Sequence, residues 1–218
     1  SDSYSASQGL IRRPDSNIFF ALGDAPIGIP SMAAIDLSDI NAPVELGAID
    51  LASALDSTLA QFGNLVVDGD YVFVVSREKF ISIDFSDPVQ PVVSDVIDRS
   101  VGGLLTLEIS EGVAYVAGNE IEIYDVSDPT SIQLVNSVPG FVADLEVSGD
   151  VLVTSNGDFV TSYDITIRTT PMMLDAVNLG RAAGSLSVSG DIAYSYATDI
   201  SVGDLQLLSI DLSDPTSM

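Results

Sequence analysis

Two residue types that carry much of enzyme chemistry are missing from this sequence. Neither cysteine nor histidine occurs in its 218 residues, which excludes thiol nucleophiles, disulfides, imidazole acid–base catalysis and the usual zinc ligands. Positive charge is also scarce, because seven Lys and Arg residues stand against 32 Asp and Glu, for a formal net charge of −25. A surface of this sign repels phosphate backbones, so nucleic acid is not expected as a partner.

Long apolar runs are absent as well, so no membrane insertion is expected. Hydrophobic residues nevertheless make up 46% of the chain, which predicts a well-packed interior inside an acidic shell. The acids are 25 Asp and only 7 Glu. Since Asp hydrogen-bonds to nearby backbone in turns and is depleted in strands, this excess is typical of a turn-rich β protein.

What the sequence does contain is an internal repeat of roughly 40 to 48 residues, marked by two motifs. The first motif ends in an aspartate and is read at five places: IDLSD from Ile35, IDFSDP from Ile83, YDVSDP from Tyr124, YDIT from Tyr163 and IDLSDP from Ile210. The second has the form LEVSGDVLV and is read from Leu65, Leu107, Leu145 and Leu186. Two markers with one period make coincidence very improbable.

Each period shows the pattern of short β-strands. Apolar residues alternate on both sides of two-residue connections such as Glu111-Gly112 and Gly149-Asp150, which is a hairpin signature. A third strand ends in the aspartate motif and a fourth follows it. We therefore predict an all-β fold, a β-propeller of about five four-stranded antiparallel blades. It forms a single domain over 1–218, with repeats at 12–56, 57–98, 99–139, 140–180 and 181–218.

These motifs resemble the LVIVD repeat family of bacterial and archaeal proteins. Ser148-Gly149-Asp150 matches the first box of that repeat, and Asp87-Pro88-Val89-Gln90-Pro91 matches the second. The fourth repeat departs from it, with Thr166-Ile167-Arg168 where Ser-Asp-Pro is expected. The resemblance implies a propeller rather than one shared reaction, and it implies a secreted or cell-surface protein.

The ends of the repeat array allow two interpretations. Residues 1–11 supply a missing strand of the last blade and close a five-bladed ring, or the chain is part of a larger propeller. The poor strand character of Ser1–Gln8 favours the second interpretation. An open blade edge would then permit self-association.

The Ser-Asp-Pro loops raise the question of calcium. Asp87, Asp128 and Asp214 directly follow strands, where an Asp accepts hydrogen bonds from the next residues and Pro presets the turn. Calcium also takes carboxylate and carbonyl oxygens, but it needs more ligands than each loop offers. The turn interpretation is favoured, no cofactor is assigned, and these three residues remain weak calcium candidates.

The positive residues indicate a binding face. In a propeller, the loops between second and third strands share a face with those between blades, and four of the seven positive residues fall in these loops: Arg77, Lys79, Arg99 and Arg181. The plain alternative is local ion pairing, for example of Arg77 or Lys79 with Glu78 or Asp98. The functional hypothesis is a face for a protein or a polar or anionic ligand.

No Gly-x-Ser-x-Gly motif is present, and no histidine could serve as a base. We therefore expect a non-enzymatic, extracellular or cell-surface propeller that acts as a binding or assembly module. The alternative is a calcium-assisted propeller hydrolase or lyase that acts on a sugar or ester.

Overall fold

β-Strands form nearly all the regular structure of the described residues. The structure, a computed structural model, describes residues 5–24, 30–52, 62–99, 106–199 and 204–218. These residues form seventeen strands, which pair antiparallel with their neighbours in sequence. Within the same ranges, no helix is long and apolar enough to cross a membrane.

The first two repeats form one four-stranded sheet each, in the sequential order of a blade. The strands are β1 Ser5–Arg12, β2 Ile18–Asp24, β3 Pro30–Asp36 and β4 Val44–Asp50, then β5 Phe62–Asp68, β6 Tyr71–Ser76, β7 Lys79–Asp84 and β8 Val92–Asp98.

The third repeat forms a blade of the same kind, and the fourth and fifth share one sheet. The strands are β9 Leu107–Ser110, β10 Val113–Val116, β11 Glu120–Asp125 and β12 Gln133–Pro139, then β13 Asp144–Ser148, β14 Val151–Asp164, β15 Met172–Ser189, β16 Ile192–Asp199 and β17 Asp204–Asp211.

Two long strands of the shared sheet, β14 and β15, each pair with a different neighbour in each half of their length. Residues 151–155 of β14 pair with β13, and residues 157–164 pair with β15. Residues 172–183 of β15 pair with β14, and residues 182–189 pair with β16. Gly157 (φ 68°) and Gly180 (φ 60°) lie where each strand changes partner, and such positive φ values favour glycine. The predicted four-stranded antiparallel blades and the all-β propeller class are confirmed.

The chain forms two compact units. The first contains Ser1–Leu107 and Asp128–Ile132, and the second contains Glu108–Ser127 and Gln133–Met218. In the first unit, Phe20, Met32, Ile81 and Phe85 belong to one buried cluster shared by the first two blades. The second unit holds one cluster around Tyr115 and Leu152 and another around Val153 and Ile210. The prediction of a single domain over 1–218 stays a prediction.

The repeated aspartates occupy equivalent positions, as the sequence predicts. Asp36, Asp84, Asp125, Asp164 and Asp211 each end the third strand of a repeat. Each carboxylate then accepts a hydrogen bond from the backbone N–H two residues on, at 2.7 to 3.0 Å. These bonds start the loop between the third and fourth strands, which we call the corner.

Four corners dock on the blade that precedes them. Ser82 Oγ donates to the carbonyl of Pro129 at 2.5 Å, and Asp95 Oδ2 accepts from the N–H of Ile132 at 2.7 Å. In the second unit Ser162 Oγ donates to the Pro215 carbonyl at 2.6 Å, Asp175 Oδ2 accepts from the Met218 N–H at 2.9 Å, and Asn136 Nδ2 donates to the Thr169 carbonyl at 2.9 Å.

In the first blade the same docking place is occupied by a glycine. Gly47 lies where the fourth strand shifts register, as Asp95, Asn136 and Asp175 do in later blades. A Cβ there would lie 2.5 Å from the carbonyl oxygen of Val89. The second corner therefore packs directly on the backbone of β4.

The N-terminal segment differs from our expectation. Residues 5–12 form β1, which pairs with β2 as the first strand of the first blade. The expectation that this segment has poor strand character and supplies a missing strand of the last blade is therefore wrong for residues 5–11. Residues 1–4 lie outside the described residues, and the approximate repeat boundaries stay a prediction. Pairing with β2 outweighs the weak strand preference of this Ser-rich segment.

We predict that Gly47→Ala destabilises the protein by about 1–3 kcal/mol, since the methyl group must displace corner backbone rather than a flexible side chain. Urea or thermal unfolding measures this loss. Ala48→Ser is the matched control, because Ala48 is exposed in the same strand and should leave unfolding almost unchanged. Equal stability of Gly47→Ala and wild type would contradict the close packing of the second corner.

Candidate binding site

The positively charged end of the second blade is a tight turn between β6 and β7. Ser76 Oγ accepts the N–H of Lys79 at 3.0 Å and donates to its carbonyl at 3.2 Å. Only Arg77 and Glu78 stand between the two strands, and both side chains are exposed. We call residues 76–79 the Arg77 turn.

Arg99 holds this turn from the end of β8. Its backbone N–H donates to the Glu78 carbonyl at 2.8 Å, and its Nη1 donates to the Ser76 carbonyl at 2.9 Å. The side chain is 8% exposed. In the first blade the equivalent position is occupied by the buried Leu51, whose N–H donates to the Pro30 carbonyl at 2.8 Å. Arg99 is therefore a positioning residue of the turn and does not present its guanidinium to solvent.

Lys79 and Arg77 differ in their partners. Lys79 Nζ lies 2.7 Å from Asp98 Oδ1 and is only 17% exposed, which is the local pairing considered as the alternative in the sequence. Arg77 makes no hydrogen bond or ion pair with any residue that the structure describes, and its side chain is exposed. Its guanidinium is a fork of donors suited to a carboxylate, phosphate or sulfate.

Three of the four predicted face residues thus lie together. Arg77 and Lys79 belong to the Arg77 turn and Arg99 donates hydrogen bonds to it, all within the first unit. Arg181 lies in β15 of the second unit, and its side chain falls outside the described part of the structure. The hypothesis that all four share one face stays a prediction.

The weak calcium candidates use their carboxylates within their own turns. Oδ1 of Asp87 accepts the N–H of Val89 at 3.0 Å, and that of Asp128 accepts the N–H and Oγ1 of Thr130 at 3.0 and 2.7 Å. Asp214 accepts the N–H and hydroxyl of Thr216 in the same way. The bonds from Thr130 lower the pKa of Asp128. Among the described residues, no group of three or more acidic side chains is placed to hold a metal ion.

The sequence did not lead us to predict an ion-pair cluster in the second unit, which is centred on Arg168. Arg168 lies 3.0 Å from both Glu111 Oε1 and Asp150 Oδ1, and its Nη1 donates to the carbonyls of Gly149 and Ile165. It lies at the fourth corner and contacts two hairpin tips. The sequence does mark this residue, since Arg168 stands where the proline of Ser-Asp-Pro is expected.

The sequence also did not lead us to predict a cluster of three acidic residues on the first strands of two blades, Glu108 in β9 and Asp144 and Glu146 in β13. Burial, reinforced by Glu146 and Asp144, raises the pKa of Glu108 from 4.5 to about 7. Asp144 is fixed in place, because its Oδ2 accepts the Leu186 N–H at 2.7 Å. Nothing in the spacing of these three residues singles them out among 32 acids.

Comparisons with known proteins agree with the repeat pattern. A model of the LVIVD repeat matches residues 62–98, 105–140 and 180–218, which together make up just over half of the chain. No curated protein matches the sequence.

Solved structures share the fold at low identity. The N-terminal domain of Nup159 is 12% identical with a TM-score of 0.67, and the match covers 95% of this chain but 59% of that one. A protein from Lactobacillus plantarum is 15% identical with a TM-score of 0.60, covering 88% and 67%. The computationally designed Ika4 protein is 12% identical with a TM-score of 0.54, covering 69% and 92%. At these identities the similarity shows the fold alone.

We predict that chelation of divalent cations leaves the fold intact, because the corner aspartates are satisfied by their own turns. The melting temperature in EDTA should stay within about 2 °C of that measured with added calcium. A calcium-dependent gain of tens of degrees would instead reveal a site that stabilises the native state by mass action.

We also predict that stability falls as the pH rises from about 4.5 to 7. Folded Glu108 has the higher pKa, so the folded state binds more protons than the unfolded state in this window. Glu108→Gln should therefore be more stable than wild type at pH 8, by about 1–2 kcal/mol after allowance for partial exposure.

That gain should vanish at pH 4, where both states are protonated. Urea unfolding at the two pH values measures it. Glu78→Gln removes the same charge from an exposed side chain and should show little change at either pH. A gain for Glu108→Gln that does not depend on pH would contradict the elevated pKa.

Proposed function

The chain belongs to the LVIVD repeat family of β-propellers, and from this premise we propose that it is a non-catalytic binding and assembly module. The Arg77 turn recognises an anionic group, such as the carboxylate of a protein partner or an acidic glycan. The observation that carries this proposal is the exposed guanidinium of Arg77 on a turn that Arg99 and Ser76 hold in place.

Preorganisation is what makes the Arg77 turn a better binding site than a charge on a flexible loop. The backbone of the turn is fixed by hydrogen bonds from both sides, so a ligand has to order only the Arg77 side chain when it binds. Lys79 is already neutralised by Asp98, which leaves Arg77 as the donor that a ligand meets. A charge-assisted bond to a carboxylate contributes roughly 1.5–3 kcal/mol.

The net charge of −25 limits how such a partner is recognised. At physiological salt, charges are screened beyond about 8 Å, so the acidic surface repels an anionic partner only at short range. Recognition then depends on direct contact with Arg77. Binding at the Arg77 turn should consequently weaken when salt is added.

The cellular location proposed is extracellular or at the cell surface. The resemblance to surface and secreted repeat proteins supports this location, and so does the acidic shell, which favours solubility in salty surroundings. A calcium-assisted hydrolase or lyase is not proposed, because no described group of residues favours it.

We expect Arg77→Ser to weaken binding to anionic probes at least tenfold. The probes are an array of carboxylated and sulfated glycans and of acidic peptides, followed by affinity measurement at 50 and 150 mM salt. The melting temperature should stay unchanged, because the side chain is exposed.

Arg12→Ser is the matched control for this measurement. Arg12 is also exposed in the first unit, but it lies at the end of β1 and its Nε donates to the Ser16 carbonyl. It should bind the same probes as wild type. Equal losses in the two variants, or no binding of wild type to any anionic probe, would refute recognition at the Arg77 turn.

A further inference from the structure

The sequence contains a single Asn-Gly pair, Asn156-Gly157. The other six asparagines are followed by Ile, Ala, Leu, Glu, Ser and Leu. Glycine has no Cβ to shield its backbone nitrogen, so the nitrogen of Gly157 can approach the side-chain amide of the preceding residue more closely than any larger residue would allow. This pair is therefore the place in the chain where a side-chain amide and a backbone amide are best able to react.

The pair lies where β14 changes partner. Ser155 is the last residue of this strand that pairs with β13, and Gly157 is the first that pairs with β15. Among the described pairings, Asn156 has no opposing residue in either ladder, and the register shifts again just after Gly157. A residue outside the ladder is held less firmly than its paired neighbours. The backbone of Asn156 is therefore among the parts of β14 that open most easily.

The side-chain oxygen of Asn156 is not held by a hydrogen bond. Its Oδ1 is buried and has no partner among the described residues, which is unfavourable for a polar atom. Asn178, in the next strand, differs, because its Oδ1 accepts the N–H of Gly180 at 2.7 Å. Space is also available at Gly157, where a Cβ would meet nothing within 4 Å. No bond to Oδ1 has to break before the amide turns toward the Gly157 nitrogen.

The residue before this pair joins the fourth repeat to the fifth. Ser155 is fully buried. Its carbonyl accepts the N–H of Ala143 at 2.7 Å, and its Oγ donates to the carbonyl of Gly184 in β15 at 2.8 Å. A chemical change at Asn156 consequently acts next to a residue whose bonds hold two repeats together.

We propose that Asn156 is a site of spontaneous deamidation in the folded protein. The Gly157 nitrogen loses its proton to hydroxide and attacks Cγ of Asn156. The new C–N bond closes a five-membered imide, the Cγ–Nδ2 bond breaks, and Nδ2 takes up a proton from water and leaves as ammonia. Water then opens the imide. Attack at the side-chain carbonyl gives aspartate, and attack at the backbone carbonyl gives isoaspartate, so water is the only co-reactant.

Both products weaken the junction of the fourth and fifth repeats. Aspartate places a negative charge where the buried Oδ1 has no donor among the described residues, and an uncompensated buried charge is costly. Isoaspartate adds one backbone carbon between Ser155 and Gly157, so the two halves of β14 cannot both keep their pairing. The modification thus acts as a slow, irreversible mark of age in the second unit, and it does not depend on the Arg77 turn.

Incubation of the full chain at 37 °C, at pH 5 and at pH 9, tests the site by peptide mass spectrometry. Asn156 should convert to aspartate and isoaspartate with time, and faster at pH 9, because hydroxide removes the proton from the Gly157 nitrogen. Labelling by an isoaspartyl methyltransferase counts the isoaspartate. Asn178 is the internal control, since it is hydrogen-bonded and followed by Leu, and it should stay unchanged over the same period. The acidic fraction isolated by ion exchange should melt at a lower temperature than the unmodified protein.

Three variants separate the chemistry from its consequence. Asn156→Gln keeps the amide but would have to close a larger ring, so it should form no acidic fraction, whereas the matched Asn178→Gln should age like wild type. Asn156→Asp carries the charge without the longer backbone and should melt below wild type at pH 7.

Two results would overturn the inference. One is conversion of Asn156 in the urea-unfolded chain but not in the folded protein, because the fold would then protect the pair. The other is conversion of Asn156 and Asn178 at equal rates. An acidic fraction that melts like fresh protein would refute the effect on the junction.

Discussion

The docking of the second to fifth corners on the blades that precede them is the interaction on which the rest of this structure depends. A blade of four short strands cannot bury its apolar faces alone, so repeats must stack. The hydrogen bonds from Ser82 and Ser162 to the following proline carbonyls link the aspartate motif of one repeat to the core of another. The Ser82 bond also explains why the third corner, Asp128–Ile132, belongs to the first unit although β11 and β12 belong to the second.

The same geometry is achieved with different chemistry in successive repeats. Where β4 has Gly47 and lets the corner approach its backbone, later blades place Asp95, Asn136 or Asp175 and reach the corner with a side chain. The fourth strand shifts register at this position in all four blades. Gly47 then allows backbone contact, whereas Asp95, Asn136 and Asp175 reach the corner through side-chain hydrogen bonds. The repeat therefore fixes positions and allows the residues at these positions to vary.

The sequence predicted the parts of the fold that are local and repeated. The aspartate that ends each third strand and the glycine hairpins follow from turn chemistry and alternation, and the blades follow from these. The strand at Ser5–Arg12 was not predictable in this way, because it depends on pairing with β2. At the site, the sequence predicted that Arg77, Lys79, Arg99 and Arg181 lie in loops of one face, but it could not show that Arg99 is buried against the Arg77 turn. Burial there is a property of packing in the second blade, where Arg99 replaces the apolar Leu51 of the first.

The scarcity of positive charge explains why single residues matter so much in this protein. With 32 acids, each of the seven basic side chains has many carboxylates available to it. Arg168 is held between Glu111 and Asp150, Arg13 pairs with Asp70, and Lys79 pairs with Asp98. Such ion pairs hold the basic side chains in place and neutralise positive charge that could otherwise bind a partner. An exposed arginine with neither a hydrogen bond nor an ion pair to a described residue, as at Arg77, therefore stands out here more than it would on a neutral surface, and more than the exposed Arg12, whose Nε donates to the Ser16 carbonyl.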